Sequence, residues 1–120
     1  MSKPTKDDAD LMIQLMRWGA ADGLQDAMNW IWSDEFISDY DEFIAKYPRG
    51  SKEYGNVTKV CGWFESIGTL YKQDLLNGEL LFDWLTIKLP WSRLSGFAKG
   101  VRSAAGEPRL YENFEMMAKE

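Results

Sequence analysis

The sequence predicts an all-α protein, a single-domain bundle of about five helices around a long central helical hairpin. Apolar residues recur at spacings of three and four along most of the chain. No segment alternates between apolar and polar residues for long enough to predict a sheet. The chain has 120 residues, 45% of them hydrophobic, which suits one core. We therefore expect one domain over residues 1–120, with residues 1–4 as a flexible arm.

The first helix is predicted to start at Thr5, because Thr5 and Asp8 have the spacing of a capping box. Gly19 and Gly23 bracket a bend that should end it. The predicted inward face comprises Leu11, Met12, Leu15, Met16 and Gly19.

Two shorter helices should follow. The first runs from about Asp22 to Ser33, with apolar residues at helical spacing. The second lies between Phe36 and Tyr47 and is capped from either residues 33–35 or residues 38–41. Pro48 ends it, since proline cannot continue a helix.

The first arm of the hairpin begins between Ser51 and Asn56 and reaches about Gln73. Its apolar residues step by four and three, the spacing of a seam that packs along another helix. Two small seam residues would allow close approach. The seam comprises Val57, Cys61, Phe64, Gly68, Tyr71 and Leu75.

The second arm should start after Asn77, a favourable N-cap, with Leu76 and Leu81 at the spacing of a hydrophobic staple. Its seam continues in phase through Pro90, which predicts one kinked helix up to Ala105. A real break near residues 89–92 is the alternative. Pro108 suits the first position of a final helix.

Charge is divided unevenly along the chain. The formal net charge is −5, but residues 1–47 carry −6, whereas residues 86–109 carry +4. The simpler interpretation is that the acidic half neutralises the basic segment within the fold. The alternative is an acidic face presented to a basic partner. The overall acidity makes nucleic-acid binding unfavourable, because such binding depends on neutralising phosphates.

Several chemistries lack their usual residues. The chain has no histidine, so the usual general base and metal ligand are missing, and we expect neither a metal nor a cofactor. The single cysteine, Cys61, lies in an apolar helical pattern and is expected to be a buried thiol. Residues 1–10 are polar and no apolar run is long enough for a membrane span, so we expect a cytoplasmic protein without membrane contact.

Two carboxylates are candidates for a polar network or pocket. Asp83 stands among apolar residues on the second arm, and Glu65 adjoins the seam of the first arm. The simpler interpretation places both on solvated helix faces. An acid–base or metal role would require both to point into one cleft.

Three tryptophans are candidates for an interaction surface. Trp18, Trp32 and Trp63 lie at the edges of their apolar stripes or off them. The alternative for each is a place in the core, because some helices of such a bundle are buried on two faces. An exposed cluster of tryptophans would mark an interface.

Three segments carry a family resemblance: residues 64–72 (FESIGTLYK), 75–84 (LLNGELLFDW) and 108–115 (PRLYENFE). Together they resemble a bacterial family of small helical proteins, domain-of-unknown-function family 4760. The resemblance covers the C-terminal half of the chain. It implies a helical fold and brings no functional residue.

These observations favour a non-enzymatic interaction or regulatory module, with a protein partner or a homodimer. A small-ligand or enzymatic domain with a pocket between helices is the first alternative. An acidic inhibitor that mimics nucleic acid is the second, and it requires the carboxylates of residues 1–47 to form one exposed face.

Overall fold

The computed structural model describes residues 2–120, and all regular structure in that range is helical. It contains seven helices rather than five. They are α1 (Lys6–Ala21), α2 (Leu24–Ile31), α3 (Tyr40–Lys46), α4 (Lys52–Lys72), α5 (Gly78–Trp84), α6 (Lys88–Ala105) and α7 (Glu112–Ala118). None of the helices within residues 2–120 is both long and apolar enough to cross a membrane.

Helix α4 is the centre of the fold, as the sequence predicts. The seam residues from Val57 to Gly68 are buried, whereas Tyr71 is half-buried and Leu75 is exposed. Helices α2 and α7 pack most extensively against α4, and α6 touches it only slightly. The prediction of a hairpin between α4 and the following long helix is therefore wrong, because other helices take up the α4 seam.

The second arm of the predicted hairpin is two helices, α5 and α6. The chain is extended at Leu85 and resumes a helix at Lys88. Pro90 is the third residue of α6, so the predicted kink in the middle of one long helix does not occur. Backbone N–H groups in the first turn of a helix have no intrahelical acceptor, so proline sacrifices nothing there. The break between the helices, at residues 85–87, falls just before the alternative break considered near residues 89–92.

Most of the predicted caps are present. Thr5 and Asp8 form the reciprocal capping box. Asp39 caps α3, and the Asn77 side chain accepts the Leu80 N–H at 3.0 Å. The two residues of the predicted staple, Leu76 and Leu81, are both buried.

The last helix starts later than Pro108. Residues 108–111 form turns, and α7 begins at Glu112. An earlier helix would need the Phe114 N–H to donate to the Leu110 carbonyl. Instead the Leu110 carbonyl accepts from Arg102 Nε at 2.7 Å, and the Phe114 N–H donates to Glu65.

Helix α3 sits on two glycines of α6 that the sequence analysis did not single out. A Cβ atom on Gly96 would lie 2.6 Å from the Ser38 carbonyl oxygen, and one on Gly100 would overlap Tyr40. Glycines four residues apart lie on one helix face and let another backbone approach. That spacing was the signal available in the sequence.

We expect Gly100→Ala to lower the free energy of unfolding by about 1–3 kcal/mol, the usual range for overpacking. The added methyl group would displace Tyr40, whose ring packs edge-on against Phe97 at 5.7 Å. Urea denaturation measures the effect. Gly55→Ala is the control, since nothing lies within 4 Å of its added Cβ. Equal stability of the two variants would contradict the prediction.

Candidate functional site

Glu65 acts as the N-cap of α7, although it belongs to α4. Its Oε1 accepts the N–H groups of Asn113 and Phe114, both at 2.9 Å. The residue before α7, Tyr111, provides no side-chain cap and adopts a left-handed conformation with φ of 58°. The carboxylate therefore satisfies two N–H groups that the helix itself cannot pair.

Burial makes the Glu65 carboxylate more basic than usual. Desolvation raises its pKa, an effect that outweighs the two backbone hydrogen bonds, and the nearby charge of Glu112 adds to it. Burial also raises the pKa of the Tyr111 phenol beside it. A half-buried carboxylate with a raised pKa is a common feature of functional sites, but here its Oε1 is committed to a helix end.

Two further contacts attach α7 to α4. The Asn113 side chain donates to Thr69 Oγ1 at 3.2 Å, and the rings of Phe64 and Phe114 stack with centroids 4.6 Å apart. A Cβ atom on Gly68 would lie 2.7–2.9 Å from Asn113 atoms, two of them in the backbone. Gly68 thus permits the close approach predicted for it, but the approaching helix is α7.

An open groove of about 440 Å³ runs beside this junction. Acidic and basic side chains both line it. The Arg109 Nε atom lies 3.1 Å from Glu112 Oε1 and forms an ion pair with it. Small-ligand sites are usually enclosed, whereas this groove is open to solvent. The lining residues are Glu65, Thr69, Lys72, Gln73, Glu107, Arg109, Leu110, Tyr111, Glu112 and Asn113.

Asp83 lies elsewhere. It is exposed on α5 and borders a different surface depression, next to Pro4 and Phe82. The structure therefore does not bring Asp83 and Glu65 into one cleft. Within residues 2–120, no three His, Cys, Asp or Glu side chains are grouped closely enough to hold a metal ion.

The three candidate tryptophans have different environments. Trp63 is buried, and its Nε1 donates to the Leu15 carbonyl at 3.0 Å, so it belongs to the core and not to a surface. Trp18 and Trp32 are 43% and 48% exposed. No aromatic contact joins them among the described residues. The two exposed rings therefore do not pack against each other.

Trp32 has a structural partner in Arg93. The guanidinium lies 5.5 Å from the Trp32 ring centroid and 4.9 Å from that of Phe36. It also donates to the carbonyls of Ile31 and Ser33, both at 2.9 Å. A cation at these carbonyls suits the negative end of α2. The exposed Trp32 ring therefore helps to hold Arg93 in place.

Within residues 2–120, no ion pair joins the acidic half to the basic segment. The three ion pairs within residues 2–120 all lie between Arg102 and Lys119. Arg102 forms an ion pair with Glu115 at 2.8 Å, and Lys119 forms a second ion pair with the same carboxylate. If the acidic half neutralises the basic segment, it does so without direct ion pairs among these residues.

The outer face of α1 is an apolar surface that the sequence analysis did not recognise. Ile13 and Met16 are 44% and 49% exposed, although Met16 was predicted to face inward. Ala20 is exposed and Ala9 half-buried. These residues step by four, three and four, so they form one stripe on the side away from the buried Leu15. The signal was present as a second apolar periodicity.

The fold and these sites define a small all-helical domain built around one central helix, with its half-buried carboxylate used as a helix cap. The chain belongs to the family described as Domain of unknown function (DUF4760), whose model matches residues 4–120. The membership thus extends well beyond the C-terminal half on which the resemblance rested. No curated protein and no solved structure matches the chain.

Proposed function

We propose that this domain is a non-enzymatic protein-interaction module that contacts another protein chain through the outer face of α1. The observation that carries the proposal is the pair Ile13 and Met16, large apolar side chains that are about half exposed and adjacent on one helix face. Neither belongs to the buried core of the protein. Apolar side chains in contiguous exposed positions are typical of interaction sites.

The carboxylate chemistry gives less support to an enzyme. Glu65 Oε1 is occupied by two N–H groups, and Asp83 is exposed in another part of the surface. The groove beside Glu65 is open to solvent, which gives a small ligand little buried surface. Ile13 and Met16 on α1 have no comparable structural role.

Site-specific photocrosslinking in the cells that express the protein tests the proposal. A benzophenone side chain at position 16 is expected to give a discrete crosslinked product with a second polypeptide. The same group at position 99, where the exposed Lys99 lies on α6, serves as the control and should give none. No product from position 16, or the same product from both positions, would reject the proposal.

A further inference from the structure

Helix α1 has two apolar faces, and only one of them serves the fold. Leu15 and Gly19 are buried on the inner face, where the Leu15 carbonyl accepts from Trp63. The outer stripe, which we name the α1 seam, consists of Ala9, Ile13, Met16 and Ala20. Its four-three-four spacing is that of a helix that packs along another helix nearly parallel or antiparallel to it.

Two opposite charges flank the α1 seam on the same side. Asp10 and Arg17 are seven residues apart, so they have the same position relative to the seam, one near each end. Both are exposed, and neither makes an ion pair within residues 2–120. If two such helices met antiparallel, Asp10 of each copy would approach Arg17 of the other.

We propose that the α1 seam is a homodimer interface, in which α1 pairs antiparallel with α1 of a second copy. This inference rests on the proposed interaction function and names its partner. In this arrangement Ile13 of one copy packs beside Met16 of the other, and Ala9 beside Ala20, so large residues meet at the centre and small ones at the ends. The interface is isologous, as a twofold dimer requires.

The charge distribution favours a second copy over a strongly basic partner. Lys6 and Arg17 nearly balance Asp7, Asp8 and Asp10 along this part of α1, which leaves a net charge of −1. The remaining acidic residues of the first 47 lie on other segments, and Asp8 accepts the N–H groups of Thr5 and Asn77. The overall charge of −5 opposes dimerisation only weakly at physiological salt, because exposed charges beyond about 8 Å are screened.

Sedimentation equilibrium of the purified full chain over a wide concentration series tests the pairing. The weight-average mass of the wild type should rise towards twice the chain mass. Ile13→Asp should weaken association at least tenfold, because it places a carboxylate in the seam. Leu75→Asp is the matched control: Leu75 is 61% exposed but lies outside α1, so association should stay unchanged. Circular dichroism verifies that each variant is folded.

Charge exchange tests the antiparallel orientation. Asp10→Arg or Arg17→Asp alone should weaken association by about tenfold, since each places like charges opposite one another at both ends of the seam. The double variant Asp10→Arg/Arg17→Asp should restore it. The proposed interface would be overturned if the double variant did not regain association, or if Ile13→Asp left association unchanged.

The homodimer and the wider interaction function can fail separately. A wild type that stays monomeric at every concentration overturns the homodimer. If position 16 then still crosslinks a different protein, the interaction function stands with another partner. If position 16 crosslinks nothing, both proposals fall.

Discussion

Gly68→Ala is expected to lower the free energy of unfolding by about 1–3 kcal/mol, the range for overpacking. The added Cβ would stand 2.8 Å from the Asn113 carbonyl oxygen and 2.9 Å from its carbonyl carbon. Backbone atoms cannot rotate away as a side chain can, so α7 would have to move off α4. That shift would also disturb the stacking of Phe64 on Phe114 and the Glu65 hydrogen bonds.

Gly62→Ala provides a control in the same helix. Nothing lies within 4 Å of a Cβ atom at position 62, so this substitution should raise stability by up to about 1 kcal/mol through helix propensity. Urea unfolding followed by circular dichroism compares the two variants. If both substitutions stabilise the protein, the contact between α4 and α7 does not depend on Gly68 in the way described.

Glu65→Leu is expected to destabilise the protein through the same junction. It removes the acceptor of the Asn113 and Phe114 N–H groups, and each group left unpaired in this half-buried junction costs up to about 1–3 kcal/mol. Helix α7 should lose hydrogen-exchange protection before the rest of the protein. Thr58→Val, at a half-buried residue nearer the start of α4, is the control for a single lost side-chain hydrogen bond, since its hydroxyl bonds only the Gly55 carbonyl. Equal losses in the two variants would argue against the capping role.

Glu65→Gln separates the hydrogen bonds from the charge. Glutamine keeps an oxygen that can accept both N–H groups but has no charge to desolvate, so stability at neutral pH should equal or exceed that of the wild type. The raised pKa means that the folded protein holds the Glu65 proton more tightly than the unfolded chain does.

The sign of the pH effect follows from that difference. The Glu65 contribution to wild-type stability should increase as the pH falls through its folded-state pKa, above the ordinary value of 4.5, and decrease again as the pH rises. The advantage of Glu65→Gln over the wild type should therefore shrink on acidification. Denaturation of both proteins across this pH range measures the difference in their free energies of unfolding. An advantage that grows in acid would contradict the assignment.

Local sequence patterns were sufficient for the features that involve neighbouring residues. Thr5 with Asp8, and Asn77 with Leu80, form caps because their partners lie three residues away on the chain. The buried stripe of α4 could be predicted because burial on one face imposes a spacing of three and four. The all-helical class followed from the same periodicity.

The same periodicity gave a wrong prediction across the gap between α5 and α6. The apolar phase continues through Leu85–Ile87, yet the chain is extended at Leu85, and Pro90 belongs to the first turn of a new helix. Phase alone does not distinguish one kinked helix from two helices that bury the same side. The position of the break depends on where the first-turn N–H groups of α6 can remain without helical partners.

The sequence by itself determined the helical class, most helix ends and the central place of α4, because these depend on residues close together in the chain. The tertiary structure determined which distant residues contact one another. Glu65 and Asn113 are 48 residues apart, and Arg93 reaches Ile31 across 62, so no local pattern relates them. It also decided which side of α1 faces the core and left Ile13 and Met16 exposed. A helix with two apolar stripes can bury either one, and only the surrounding helices determine which stripe the fold covers.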